Sequence, residues 1–333
     1  MKLTNQNDSI EDKFMEYRTL GTRGLLLSEI SLGSWLTFGD KTGLSAVREM
    51  CRFGFENGIN FFDNAEVYAE GASELLMGEA LRDYRRDEFV ISTKIFFGGD
   101  GPNKMGHSMK RLIEGTKNSL RRLQMDHVDL LYCHRRDDNT SVEEAVRAMD
   151  ILIKQGHALY WGTSEWEADD IEEAFKIAED IGATPPSVEQ PEYNMFHRQK
   201  VEKDYKPLYK KYGIGLTAYS PTASGVLTGK YKDGIPKGSR LDQNPEFVHE
   251  DFKDRVEKAK LLEPIAKKLG CSLAQLSIAW ILKNPNVSTV MVGASKTEQL
   301  KENIKAIEFK EKLTDDILKE IESILSKSLV SSK

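Results

Sequence analysis

Short apolar runs alternate with longer amphipathic stretches along most of this chain. Eight such runs stand out, at 30–33, 60–64, 89–94, 128–134, 158–164, 187–190, 215–220 and 289–293. Between them, Ser73, Leu75, Leu76, Glu79, Ala80 and Leu81, or Leu112, Ile113, Thr116, Leu120 and Leu123, recur with the 3.6-residue period of a helix. Repeated strand–helix units of this kind predict a parallel sheet rather than separate domains. Eight units predict the α/β class and a closed (β/α)8 TIM barrel, whose usual length of about 250 residues leaves room for additions. Three additions are expected. Residues 17–28, with Gly21 and Gly24 between apolar stretches, predict an N-terminal β-hairpin across the barrel's bottom. Residues 221–254, after strand 7, are rich in Gly, Pro, Ser and charge and predict a long structureless lid or binding loop. Residues 314–325 predict an extra C-terminal helix with Leu318, Ile321 and Leu325 on one face. The expected domain is 16–327, between flexible tails at 1–15 and 328–333.

Composition narrows the possibilities. A chain of 333 residues can bury a sizeable core as one large or two ordinary domains, and the regular alternation favours one. Its 47 basic and 53 acidic residues leave a net charge of −6 with no basic block, which argues against nucleic acid as a partner. Cys51, Cys133 and Cys271 are far apart in apolar segments and read as reduced core thiols. No window approaches the run of about 18 apolar residues that a membrane helix needs. The expectation is a cytoplasmic protein that does not insert into membranes.

Four chemically capable residues follow these runs. Asp63 and Tyr68 close 61–68, Lys94 closes 89–94 and His134 closes 128–134. Parallel barrels collect their chemistry at such strand ends. A tyrosine is a weak acid, with an ordinary pKa of about 10, and a neighbouring ammonium favours its phenolate. Lys94 is the natural tuner of Tyr68, and Asp63 would keep a buried Lys94 charged. His134, from the next strand, could hydrogen-bond a carbonyl oxygen and hold it against the phenol. Together they suit protonation of an oxygen while hydride reaches its carbon.

Singly, each residue has a plainer reading: Asp63 a helix cap, Tyr68 a half-buried aromatic, Lys94 a rim charge, His134 a core histidine. Their joint placement on strands 2, 3 and 4 favours the chemical reading. His107, His127, His157, His197 and His249 fall in loops or helical stretches and read as surface residues, so no metal site is expected. Trp35, Phe96, Phe97 and Trp166 lie just past strand ends and are expected to wall a substrate pocket, with core or lid packing the alternative.

The motifs also carry a family resemblance over nearly the whole chain. They include Leu32-Gly33-Ser34-Trp35, Asn60-Phe61-Phe62-Asp63-Asn64-Ala65-Glu66-Val67-Tyr68, Ser92-Thr93-Lys94, Gly162-Thr163-Ser164, Glu189-Gln190-Pro191-Glu192-Tyr193-Asn194, Ala218-Tyr219-Ser220-Pro221 and Gly293-Ala294-Ser295. A collinear set of this kind resembles the aldo-keto reductases. The resemblance implies Tyr68 as general acid, Lys94 and Asp63 as its electrostatic partners, and His134 as the group orienting the carbonyl. It implies a nicotinamide dinucleotide at the barrel mouth, without a Rossmann domain. Ser164 and Gln190 would hold the carboxamide and Tyr219 would stack on the ring. Ser220, Pro221, Thr222, Ser224, Gly225 and Lys230 would line the pyrophosphate. Arg240, Ser295, Gln299, Glu302 and Asn303 would take the adenosine end, and Ser34, Trp35, Asp63 and Gly293 complete the implied lining.

Gly293-Ala294-Ser295-Lys296 precedes a helix from Thr297, and a helix start favours an anion. Lys296 and Arg240 could neutralise a 2′-phosphate, so with the resemblance the cofactor expected is NADP(H) rather than NAD(H).

Within the family, Lys94-Ile95-Phe96-Phe97-Gly98-Gly99 and Tyr160-Trp161-Gly162-Thr163-Ser164 resemble the potassium-channel β-subunit branch and its bacterial relatives. Two departures stand out. His134 replaces the channel subunits' Asn, which favours a working reductase, and Glu165 replaces an Arg, so that Glu165 must point away from cofactor phosphate or pair with a cation. A tail of about a dozen residues is expected to be too short for a tethered blocking peptide, which also favours the enzyme. The expected function is NADPH-dependent reduction of small carbonyls, reactive aldehydes such as methylglyoxal first. The alternative is an NADP(H)-sensing regulatory subunit with slow turnover. The same resemblance suggests a homo-oligomer, tetramer or higher.

Overall fold

A computed structural model describes residues 15–39 and 42–329. The N-terminal hairpin pairs β1 (Tyr17–Leu20) with β2 (Arg23–Ser28), antiparallel. The barrel strands are β3 (Ile30–Gly33), β4 (Phe61–Asp63), β5 (Val90–Ile95), β6 (Val128–Cys133), β7 (Ala158–Ser164), β8 (Val188–Gln190), β9 (Gly215–Ala218) and β10 (Val287–Gly293). All eight pair in parallel, and β10 closes on β3. Each expected strand is present, trimmed or extended by one or two residues at its ends. Their near-continuous burial is what parallel strands covered on both faces require.

The surrounding helices are α1 (Leu44–Glu56), α2 (Ala72–Leu81), α3 (Met109–Leu123), α4 (Val142–Lys154), α5 (Ala168–Ile181) and α6 (Lys206–Tyr212), followed by α7 (Arg240–Gln243), α8 (Phe252–Leu269), α9 (Leu273–Leu282), α10 (Thr297–Ile304) and α11 (Asp315–Leu325). Serine or threonine side chains cap several of them, as Ser108 does for α3, Ser141 for α4 and Thr314 for α11. The expected helix at 314–325 is therefore α11 behind its cap.

Two apolar layers hold the barrel. The larger lies between strands and helices, with Leu32, Phe62, Ile91, Leu131 and Trp161 facing α1 to α5. The smaller fills the barrel's lower bore, where Leu20 and Leu27 of the hairpin meet Phe61, Val90, Leu130, Tyr132 and Val188. Gly21 makes this docking possible: it has φ +55°, and a Cβ there would lie 2.1 Å from Gly213 O. With the lower bore plugged, the barrel's interior opens at its C-terminal mouth.

Two expectations change here. The stretch 221–254 is not structureless: it folds into a 3-10 turn (Ala223–Thr228), α7 and a second 3-10 turn (Pro245–Phe247) before α8 begins. Leu241 and Tyr231, both buried, anchor it. The tails at 1–14 and 330–333 lie outside the described residues, whereas Met15 is already buried in the larger core.

Candidate active site

The β4, β5 and β6 ends meet at the mouth and bring Asp63, Lys94 and His134 together. Tyr68 arrives five residues after Asp63, where the chain leaves the barrel and turns through Tyr68–Gly71 with Ala69 and Glu70 at positive φ. Lys94 is wholly buried and its Nζ has three neighbours: Asp63 Oδ2 at 2.7 Å, Asn64 O at 2.7 Å and Tyr68 Oη at 3.0 Å. An ammonium has three donors and no acceptor, so Tyr68 Oη accepts from it. The phenol proton is thereby left free of Lys94. Asp63 is held in turn through Oδ1, which accepts from Ser92 Oγ at 2.7 Å and Gln190 Nε2 at 3.1 Å.

Electrostatics correct one expectation. The net shift of Tyr68 is upward although Lys94 donates to its oxygen. Burial raises its pKa well above 10 and the Asp63 carboxylate raises it further, with Arg135 opposing. Lys94 spends its charge on Asp63, and burial lowers its own pKa. Tyr68 is therefore a neutral phenol, ready to donate once an oxygen beside it gains charge. His134 is also neutral: burial, then Lys94, Arg135 and His107, take its pKa well below 6.5. Its ring stands 5.9 Å from that of Tyr68 at 77°, and its buried Nδ1 has no partner among the described residues.

The aromatic wall is three residues rather than four. Trp35 lies 6.4 Å from both Tyr68 and Tyr219 between ring centroids, and Phe97 lies 5.4 Å from His134 with Phe96 against it at 4.6 Å. Trp166 is buried behind them, with the tilted His107 ring at 6.2 Å and the Arg136 guanidinium at 5.4 Å. It is core, not pocket. His107 is not a surface residue either: it is buried, its Nε2 lies 3.1 Å from Ile95 O, and burial lowers its pKa to about 4. Of the other four, His249 is exposed and His127, His157 and His197 are half-buried.

The expected cofactor residues fall on the neighbouring rim. Ser164 is buried with Oγ donating to Gln190 O at 3.0 Å. Gln190 faces Asp63, and Tyr219 sits half-buried beyond β9. Ser34 is internal, its hydroxyl spent on Asp63 O, so its side chain does not reach the mouth. The turn after β9 suits an anion: Ser220, Ala223, Ser224 and Gly225 all take positive φ, Pro221 and Thr222 lie within it, and a Cβ on Gly225 would lie 2.7 Å from Lys230 Nζ. Arg240 covers Trp35 at 4.6 Å, and its buried Nε and Nη2 are unpartnered among the described residues. An orphaned guanidinium beside a cation-lined turn fits a dinucleotide phosphate. At α10, Ser295 N and Oγ are taken up by Gln299, Glu302 is bonded by Gln275, Asn303 is half-buried, and Gly293 ends β10 exposed.

Glu165 pairs with a cation, Lys200 at 3.3 Å, and accepts from Glu192 N. Glu189 beside it is buried and its pKa is pushed up to about 8 by burial, although Thr163 and Glu165 N hydrogen-bond it.

Residues 29–326 match the family described as the Aldo/keto reductase family. The chain belongs to it. Family members generally bind NAD(P)H and act on small carbonyl substrates. The chain is 50% identical over 317 residues to a probable voltage-gated potassium channel subunit beta of Arabidopsis thaliana, covering 93% of this chain and 97% of that one. It is 49% identical over 323 residues to a protein of the same description from Oryza sativa subsp. japonica, with the same coverage. Among the described residues no group of three or more His, Cys, Asp or Glu side chains could hold a metal, and no single helix is long and apolar enough to cross a membrane.

Reading strand ends alone missed several parts of this aldo/keto reductase's site. Asn64, Ser92 and Thr217 support Asp63, Lys94 and Gln190 from inside the barrel. Arg135, next to His134, reaches Ser164. Its only signal in the sequence is a basic residue directly after a strand-end histidine.

Proposed function

We propose that this protein is an NADPH-dependent reductase of aldehydes or reactive ketones, with Tyr68 as general acid. NADP(H), when bound at the mouth, would supply hydride to the carbonyl carbon. The protein's part is to orient and protonate. Neutral His134 and the Tyr68 hydroxyl would receive the carbonyl oxygen between them, Tyr68 would pass its proton to that oxygen, and Lys94 would stabilise the phenolate left behind. Asp63, Asn64, Ser92 and Gln190 would keep Lys94 aimed. Trp35, Phe96 and Phe97 would exclude water. Ser164, Gln190 and Tyr219 would hold the nicotinamide, the 220–225 turn with Lys230 and Arg240 the phosphates, and Ser295, Gln299, Glu302 and Asn303 the adenosine, with Arg240 and Lys296 favouring the 2′-phosphate form.

One observation carries the reading: Tyr68 Oη accepts from Lys94 Nζ at 3.0 Å inside a buried ion pair, which leaves its own proton free to give. The test is NADPH oxidation with a panel of small aldehydes, methylglyoxal included, in wild type and Tyr68→Phe. Equal rates in the two proteins would remove Tyr68 from the reaction.

A second reading follows from the names of the relatives: a cytoplasmic, homo-oligomeric NADP(H)-binding subunit that regulates a channel, with slow turnover. Tight NADP(H) binding without aldehyde reduction in either protein would favour it.

A further inference from the structure

Arg135 and Arg136 are neighbours in the chain with opposite surroundings. Arg136 is consumed by the fold: it pairs with Asp170 at 3.0 Å, donates to Asp137 O and Thr140 O, and covers Trp166. Arg135 has no carboxylate within 4.0 Å among the described residues. Its Nη1 donates to His134 O at 2.6 Å and to Ser164 Oγ at 3.3 Å, and the side chain is half-buried. It acts electrostatically on Tyr68, Lys94, His134 and Tyr219, the groups that surround the proposed reaction centre.

The other charges nearby are already balanced. Lys94 is paired with Asp63, His134 is neutral, and Glu165, the acid that shares Tyr219 with Arg135, is taken by Lys200 and Glu192 N. Two guanidiniums at the mouth thus lack a carboxylate partner among the described residues: Arg240, over Trp35 and beside the 220–225 turn, and Arg135, which bonds His134 O next to the carbonyl-binding pair. A half-buried cation has lost part of its hydration and gains most from an anion delivered to it. The guanidinium's planar fork matches a carboxylate, and charge-assisted bonds of that kind are strong where water is excluded.

We propose that Arg135 is the specificity-determining residue of the site and selects carbonyl substrates that carry a carboxylate a few bonds from the reacting carbon, such as oxo acids and carboxy-aldehydes. This rests on the reductase reading above and names its substrate class. The polar side of the pocket would be Arg135, opposite the Trp35 and Phe97 wall.

The experiment compares a charged with an uncharged benzaldehyde, whose difference in intrinsic reactivity cancels when their ratio is compared across variants. The ratio of kcat/KM for 4-carboxybenzaldehyde to that for 4-nitrobenzaldehyde is measured with NADPH in wild type, Arg135→Lys and Arg135→Gln. The ratio is expected to fall about 30-fold in Arg135→Gln and by less in Arg135→Lys, which keeps the charge and loses the fork. A ratio that stays constant while both rates drop would make Arg135 a positioning group for His134 and Ser164 and overturn the proposal. A constant ratio with weakened NADPH binding would assign it to the cofactor and overturn it equally. Were wild type to reduce neither aldehyde, the reductase reading would fall by itself, and the selectivity is read by titrating the NADP⁺-loaded protein with 4-carboxybenzyl alcohol and benzyl alcohol. Preference for the carboxylate, lost in Arg135→Gln, supports the proposal; equal affinities overturn it.

Discussion

A lysine is paired to a buried carboxylate at each end of this barrel, and the two pairs behave differently. At the mouth, Lys94 meets one carboxylate, Asp63, with both side chains buried, and its pKa is lowered by burial. At the bottom, Lys310 meets two, Glu29 at 3.0 Å and Glu16 at 2.5 Å, while Arg18 also holds Glu29 at 3.2 Å. Burial lowers Lys310 too, but Glu16 and Glu29 more than offset it and its pKa rises. The difference is one of saturation. The bottom cluster surrounds its lysine with two carboxylates, one of them shared with Arg18, and clasps the hairpin to the residues before α11. The mouth pair is just balanced, and the lysine's third donor is left for Tyr68.

The largest predicted effects break the mouth. Tyr68→Phe should lower kcat/KM for aldehydes by about 1,000-fold, within the range for a lost general acid, while NADPH binding followed by fluorescence stays within about threefold. Because the Tyr68 pKa lies well above 10, wild-type kcat should show no alkaline limb from phenol ionisation at pH 7–9. Lys94→Met should cost a similar factor in rate and, by stranding Asp63, about 4 kcal/mol in urea unfolding. Adding Asp63→Asn should restore much of that stability and none of the rate, a result that only a mouth serving chemistry would give.

Lys310→Met should be milder, about 2 kcal/mol, because Arg18 still accompanies Glu29, and it should leave kcat unchanged. Its pH signature is distinctive. A lysine whose folded pKa is raised contributes stability that is complete below its unfolded value of about 10.5 and is lost as pH climbs through the folded value. The wild type should therefore lose stability above about pH 10.5, and the variant should lose less. Equal alkaline slopes in the two proteins would contradict the saturated-cluster picture.

Acid should act near the mouth through His107. With a folded pKa of about 4 against 6.5 in the unfolded chain, the unfolded state takes up the proton first. Stability is full above about pH 6.5 and falls by about 3 kcal/mol as pH drops toward 4. His107→Gln, which can still reach Ile95 O, should flatten that limb in chemical denaturation at pH 4–7. The smallest effect is reserved for Trp166→Phe, expected to cost about 1 kcal/mol through packing and to leave relative aldehyde rates unaltered. A changed substrate profile would return Trp166 to the pocket wall.

The architecture was legible because it is periodic. Eight buried runs, helix-spaced stretches between them and a hairpin signal at Gly21 are local regularities, and each became an element within a residue or two. The reactive side chains were legible for a related reason: in a parallel barrel the ends of successive strands face one opening, so Asp63, Lys94 and His134 had to share it. The stretch at 221–254 was misread because its anchors, Tyr231 and Leu241, are isolated apolar residues in a polar run.

Linear order thus settled which groups meet, since strand succession alone carries them to the same rim. The sign of each interaction was decided by folding. Tyr68 became a weaker acid, His107 and Trp166 went into the core, and Arg135 was left unpaired while Arg136 was not. Those outcomes depend on distance, burial and the sum of charges from groups such as Gln190 and Asp63, 127 residues apart in sequence and 3.1 Å apart in space, and no pattern read along the chain contains that sum.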